Sequence, residues 1–161
     1  DASYAPAYLG RGTVYRLQHN AVQSLADFNK VIALRPNDSE AYYDRGLLYQ
    51  SQGQHQFAIN DFSTAIGLTP QREELYVVRA LSYLAVNDNK SAAGDLDRAV
   101  QLNSSDPKAW ASRGLAYERL GQKDKAAGSY AKALNINNKY QPAVAGFARV
   151  GGEVGKAYQT F

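Results

Sequence analysis

Arginine recurs every 34 residues along this chain, at Arg11, Arg45, Arg79 and Arg113. Asp27, Asp61 and Asp95 keep the same period, and Ser129 takes the fourth place. A guanidinium is a rigid fork of donors suited to a carboxylate or phosphate, so two chemistries are open. The arginines could receive an anionic ligand, or they could pair with the aspartates. A carboxylate in phase with the arginines favours pairing. Such pairs could form within one unit, or from the Asp of one unit to the Arg of the next. Ser129, followed by Phe147 where a further arginine would fall, favours the second arrangement: Asp27 with Arg45, Asp61 with Arg79, Asp95 with Arg113. That arrangement leaves Arg11 to a preceding repeat or a neighbouring chain. Removing one member of a buried pair costs roughly 3–5 kcal/mol. Asp61→Ala is therefore expected to damage the fold and Asp44→Ala hardly at all.

Little else in the chain suggests catalysis. His19 and His55 fall in separate short turns, and no HExxH or Asp-rich calcium loop occurs, so no metal ligand set forms. With no cysteine, thiol catalysis, thiolate metal sites and disulfides are excluded, and compartment is left open between cytoplasm and an exported location. Gly151–Lys156 (GGEVGK) is one residue short of a phosphate loop, has Ala157 in place of its Ser or Thr, and follows no strand. Gly10–Gly12 (GRG) lies inside a helix pattern. No cofactor is expected, and no enzyme activity.

The formal charge is +3 on 161 residues, with basic residues dispersed. That excludes a nucleic-acid footprint, and no apolar run approaches the ~20 residues a bilayer crossing needs. The chain opens DASYAP without an initiator methionine, and so reads as a mature or excised form.

The elements that position these residues come in four units, 5–38, 39–72, 73–106 and 107–140, aligned without gaps. Their fourth residues are Tyr8, Tyr42, Tyr76 and Trp110, their eighth Gly12, Gly46, Ala80 and Gly114, and their eleventh Tyr15, Tyr49, Tyr83 and Tyr117. Ser24, Ala58, Ala92 and Ala126 follow at the twentieth position, then Phe28, Phe62, Leu96 and Tyr130 at the twenty-fourth. Spacings of three and four predict two amphipathic helices per unit. Pro6, Pro107 and Pro142 suit first helical turns, Ser39 and Asp106 suit N-caps, and Pro36 and Pro70 stop second helices. Small residues at positions eight and twenty let two backbones approach. One hairpin cannot bury its own apolar face, so units must stack.

The pattern aromatic-x-x-x-Gly-x-x-Tyr, followed by Ala, an aromatic, Ala and Pro, resembles the tetratricopeptide repeat over about 5–140. Ser104 and Asn138 depart from the closing proline, and Val31 from a small residue. The resemblance implies an all-α fold, a right-handed superhelical solenoid of antiparallel helix hairpins, as a single domain over 1–161. Residues from about 141 to 161 are expected to cap the last hairpin, the alternative being half of a fifth repeat. The plain pattern is similar to many bacterial members.

The resemblance also implies a concave groove lined by first helices. Its expected lining includes Leu9, Thr13, Tyr43, Asp44, Leu47, Val77, Val78, Leu81, Leu84, Lys108, Ser112 and Leu115. The strip Tyr43, Leu47, Val77, Leu81, Leu84 and Leu115 is more apolar than a solvated face requires, which marks a protein-binding site. Family members that clamp the carboxylate tails of heat-shock chaperones use Lys and Asn at such positions. Here one register gives Leu9, Thr13, Asp44, Glu74 and Val78, and the next gives Tyr43, Leu47, Val78, Lys108 and Ser112. Only Lys108 matches, so that clamp is not expected. The expected function is a non-catalytic scaffold that binds an apolar or amphipathic peptide segment of another protein. The alternatives are a self-assembling homo-oligomeric module and the targeting arm of a longer multidomain protein.

Overall fold

A computed structural model describes residues 4–152; residues 1–3 and 153–161, with the far end of the expected capping segment, lie outside the described residues. Every element among the described residues is a helix. Helices α1 (Ala5–Leu17) and α2 (Ala21–Leu34) are followed by α3 (Ser39–Ser51) and α4 (His55–Leu68). Then come α5 (Glu73–Ala85) and α6 (Asn89–Leu102), α7 (Pro107–Arg119) and α8 (Lys123–Ile136), and finally α9 (Gln141–Arg149). The fold is an all-α solenoid of antiparallel helix hairpins. Two compact units are distinguished, Asp1–Ser82 and Tyr83–Phe161, the division falling within α5. In the first, α1 packs on α2, α3 on α4, and α2 on α3. In the second, α7 packs on α6 and α8, and α9 lies against both α7 and α8.

Helix ends follow local chemistry. Asp38 and Asp106 cap α3 and α7, their carboxylates accepting the backbone N–H of Glu40 (3.0 Å) and Lys108 (2.9 Å). Ser39, expected as the cap of α3, is instead its first residue, with its Oγ 2.8 Å from Thr69 Oγ1. Aspartate one residue earlier wins because, from non-helical backbone, its side chain reaches the N–H of the second helical residue, Glu40. Each hairpin turns through one left-handed residue at a constant place: His19 (φ 61°), Gly53 (φ 73°), Asn87 (φ 61°) and Gly121 (φ 76°). Glycine takes that conformation without steric cost, and His19 and Asn87 take it at some cost. His55 is not the turn residue it was expected to be. It opens α4, half-buried, with Nδ1 3.1 Å from Ser82 Oγ.

The close approach of paired helices is set by glycine. A Cβ on Gly12 would meet the Phe28 ring at 2.7 Å, one on Gly46 the Phe62 ring at 2.5 Å, and one on Gly114 the Tyr130 ring at 2.7 Å. Phe28 and Phe62 are wholly buried and Tyr130 almost so. Position eight must therefore lack a side chain wherever position twenty-four is aromatic. The third repeat carries Ala80 and Leu96 at these places, a methyl gained where the ring is lost. In the second unit, Gly146 of α9 also approaches the Tyr130 ring, and Phe147 beside it is fully buried.

Gly46→Ala is expected to lower stability in urea unfolding by about 1–3 kcal/mol, although alanine is the better helix former, because the added methyl overpacks the ring. Adding Phe62→Leu should return part of that loss. An unchanged midpoint for the single variant would contradict this packing.

Candidate functional site

The arginine series sits on this hairpin. Arg11 donates to Asp27 through Nε (2.9 Å) and Nη2 (2.7 Å), and Arg45 donates to Asp61 through the same two nitrogens at 2.8 Å each. These pairs lie within a repeat, so the inter-repeat pairing of Asp27 with Arg45 and of Asp61 with Arg79 is corrected, and Arg113 bonds Asp97 and Ser129 rather than Asp95. The glycine beside each arginine draws the second helix close enough that the carboxylate stands directly opposite: Asp27 Cβ lies 3.1 Å from where a Gly12 Cβ would be. Arg11 accordingly has a partner in its own repeat. Asp27, Asp61 and Asp95 are all buried.

The arginines of the second, third and fourth repeats also reach back to the preceding repeat, two residues beyond the position expected. Arg45 Nη1 donates to Asn29 (3.0 Å), Arg79 Nη1 to Ser63 (3.0 Å), and Arg113 Nε to Asp97 (2.8 Å). In the fourth repeat Arg113 Nη1 donates to Ser129 Oγ at 2.7 Å, and Asp97 supplies the carboxylate that Ser129 lacks. Aromatic rings flank each cation. Arg45 lies 5.8 Å and 5.9 Å from the Tyr42 and Tyr49 centroids, and Arg113 lies 5.6 Å and 4.8 Å from Trp110 and Tyr117. The fourth-position aromatics have a second role that sequence reading missed. Tyr42 and Tyr76 donate to the carbonyls of Pro36 and Pro70 at 2.8 Å, and Trp110 Nε1 donates to that of Ser104 at 2.9 Å, tying down the turn before each repeat. The readable signal was that this position is always an aromatic with a donor, never phenylalanine.

The expected groove residues divide by burial. Leu9, Tyr43, Leu47, Val78, Leu81, Ser112 and Leu115 are half-buried, and Lys108 is exposed. Val77 and Leu84 are buried, at 4% and 6% exposure, so two members of the expected apolar strip belong to the core. Leu9 packs against the cluster of Ala5, Val31 and Ala41. Half-buried Thr13 turns its hydroxyl back to the Leu9 carbonyl at 3.0 Å. Gln50, another first-helix position, donates to the Val78 carbonyl (2.8 Å) and Ser82 Oγ (2.9 Å), joining α3 to α5. Leu9 through Leu81 lie in the first compact unit, and Leu84, Lys108, Ser112 and Leu115 lie in the second. No group of three or more residues able to hold a metal ion occurs among the described residues, and none of their helices is long and apolar enough to cross a membrane.

Two profiles described as tetratricopeptide repeat match residues 13–82 and 77–142. The chain belongs to the tetratricopeptide-repeat family. No curated protein sequence matches it. Among solved structures, the MamA protein is similar with a TM-score of 0.87 at 23% identity, covering 93% of this chain and 82% of that one. YrrB, described as a TPR protein with an unusual peptide-binding site, has a TM-score of 0.79 at 21% identity, covering 89% and 74%. The second TPR domain of the human RPAP3 protein, in complex with an HSP70 peptide, has a TM-score of 0.67 at 26% identity, covering 70% and 93%.

Against the tetratricopeptide-repeat pattern, Asp44 is the anomaly. It occupies a variable first-helix position yet is only 7% exposed, and among the described residues its carboxylate has no hydrogen-bond or ion-pair partner. Burial pushes the carboxyl up to about 7; Glu40 adds to this, Arg16 and Arg72 oppose it, and Asp38 adds again. The expectation that Asp44 hardly bears on stability is therefore revised. The folded chain holds this proton to about pH 7, whereas an unfolded aspartate releases it near ~3.9. Stability from the neutral form is full below the unfolded value and is lost as pH rises through about 7.

Two outcomes follow. Asp61→Ala should cost roughly 3–5 kcal/mol in urea unfolding, since Arg45 keeps a part-buried charge without its carboxylate; a loss below about 1 kcal/mol would mean the pair is no stronger than a surface one. Asp44→Asn should melt above the parent near pH 8, with the margin shrinking toward pH 4.5. A margin that does not change with pH would contradict the buried charge.

Proposed function

We propose that this chain is a non-catalytic scaffold that binds an apolar or amphipathic peptide segment of a protein partner along its first helices. The carrying observation is position nine. Leu47 and Leu81 recur there as half-exposed aliphatic side chains in successive repeats of the first unit, beside half-buried Tyr43 and Val78, and Leu115 holds the same position in the second unit. Apolar surface left at one position of neighbouring first helices suits an apolar face of a ligand. Solved members of the fold carry peptides, including the RPAP3 domain with its HSP70 peptide. This chain is read as lacking the chaperone-tail clamp. Its counterpart positions hold Asp44 and Glu74, which would repel a carboxylate, and Lys108 alone is suited to one.

A second reading, self-assembly, is favoured by one feature of the first unit. Val14 is 50% exposed, although Leu48, Ser82 and Ala116 at the same place in later repeats are buried. Leu17 (66%) and Val22 (82%) are exposed apolar residues nearby in sequence. Light scattering over a concentration series tests this, with Val14→Glu as the control; a monomer at every concentration sinks it. A targeting role within a longer protein uses the same binding face.

For the leading reading, Leu81→Glu should keep the helical circular dichroism and the melting temperature within a few degrees while losing the partner in a pull-down. Equal retention by both proteins would rule out the position-nine face.

A further inference from the structure

Around Asp44 the first unit concentrates charge without balancing it. Asp38 and Glu40 stand beside it, as do Arg16 of α1 and Arg72 of the loop before α5. Arg72 is committed elsewhere: it pairs with Glu40 and, at 3.3 Å, with Glu74, and it lies 4.5 Å above the Tyr43 ring. Arg16 does not answer Asp44 with a hydrogen bond, and its own buried Nε has no acceptor. Four carboxylates, Asp38, Glu40, Asp44 and Glu74, thus face two guanidiniums. The surplus is negative, and its least solvated member is a carboxylate with no partner. A buried, unpaired acceptor is costly, and such a group is retained where something else completes it.

We infer that Asp44 receives a basic side chain, the Lys or Arg of a partner peptide whose neighbouring apolar residues lie on Leu47 and Val78. This rests on the groove reading above and adds the chemical class of the ligand. A cation entering here would form a charge-assisted hydrogen bond in a partly desolvated site, where such bonds are strongest. Glu40 and Glu74, held by Arg72, form the rim. Arg16 and Arg72 set the selectivity: the site carries enough positive charge to remain folded without ligand and too little to neutralise all four acids. An acidic or carboxylate-terminated peptide finds the opposite of what it needs.

The test pans a displayed random-peptide library near pH 8 on the parent chain, on Asp44→Asn and on Leu81→Glu. The inference expects Lys or Arg enriched at one place beside apolar residues in peptides selected by the parent, and that enrichment lost with Asp44→Asn. Affinity of a selected peptide for the parent should fall about tenfold between pH 8 and pH 6, because the ionised fraction of a carboxyl at about 7 falls by that factor. Asp44→Asn should show no such fall. Apolar peptides selected equally by the parent and Asp44→Asn, or enrichment of Asn, Gln or acidic residues, would overturn the assignment while leaving the groove reading in place. Peptides bound undiminished by Leu81→Glu, or no peptide selected at all, would overturn both.

Discussion

The contact between a glycine and an aromatic ring, made across the first, second and fourth hairpins, is the constraint on which the other repeated features depend. With Gly46 against Phe62, the two helices lie too close for any side chain at that point. The same approach brings Arg45 opposite Asp61, where two parallel hydrogen bonds form. Aromatic residues three before and four after the arginine then fall on its flanks, as helical spacing requires. Tyr42 and its counterparts extend the lock outward, since their donors reach the carbonyl of the turn before the repeat.

The ion pair does not need to be a large net source of stability to matter. Desolvating two charges offsets much of their attraction, while leaving one unpaired is heavily penalised. The fourth repeat shows how far the chemistry can be rearranged. Its arginine takes a hydroxyl from its own repeat and a carboxylate from the preceding one, and Tyr117 donates to that same carboxylate at 2.9 Å. Arg149 of α9 makes an equivalent fork to Glu118, so the last helix is tied to α7 by charge as well as by Phe147.

Repeat phase, helix starts and the small residues at positions eight and twenty were legible because four copies vote on each place. The direction of pairing was not. Period gives phase, but Asp27 is in phase with both Arg11 and Arg45, and only the depth of helix approach separates them. The residues that bridge repeats were hidden for another reason: Asn29, Ser63 and Asp97 share a position but not a type. Burial at variable positions was also illegible. Val77, Leu84 and Asp44 occupy places expected to face a ligand, yet each is buried.

The hairpin, not the junction between hairpins, is the seat of the arginine–aspartate lock in the first two repeats. A double-mutant cycle in urea measures this directly, comparing Arg45 and Asp61 with Arg45 and Asp27. Coupling of about 1–3 kcal/mol is expected for the first pair and no more than about 0.5 kcal/mol for the second. The reverse order, with coupling between Arg45 and Asp27 and none between Arg45 and Asp61, would contradict it.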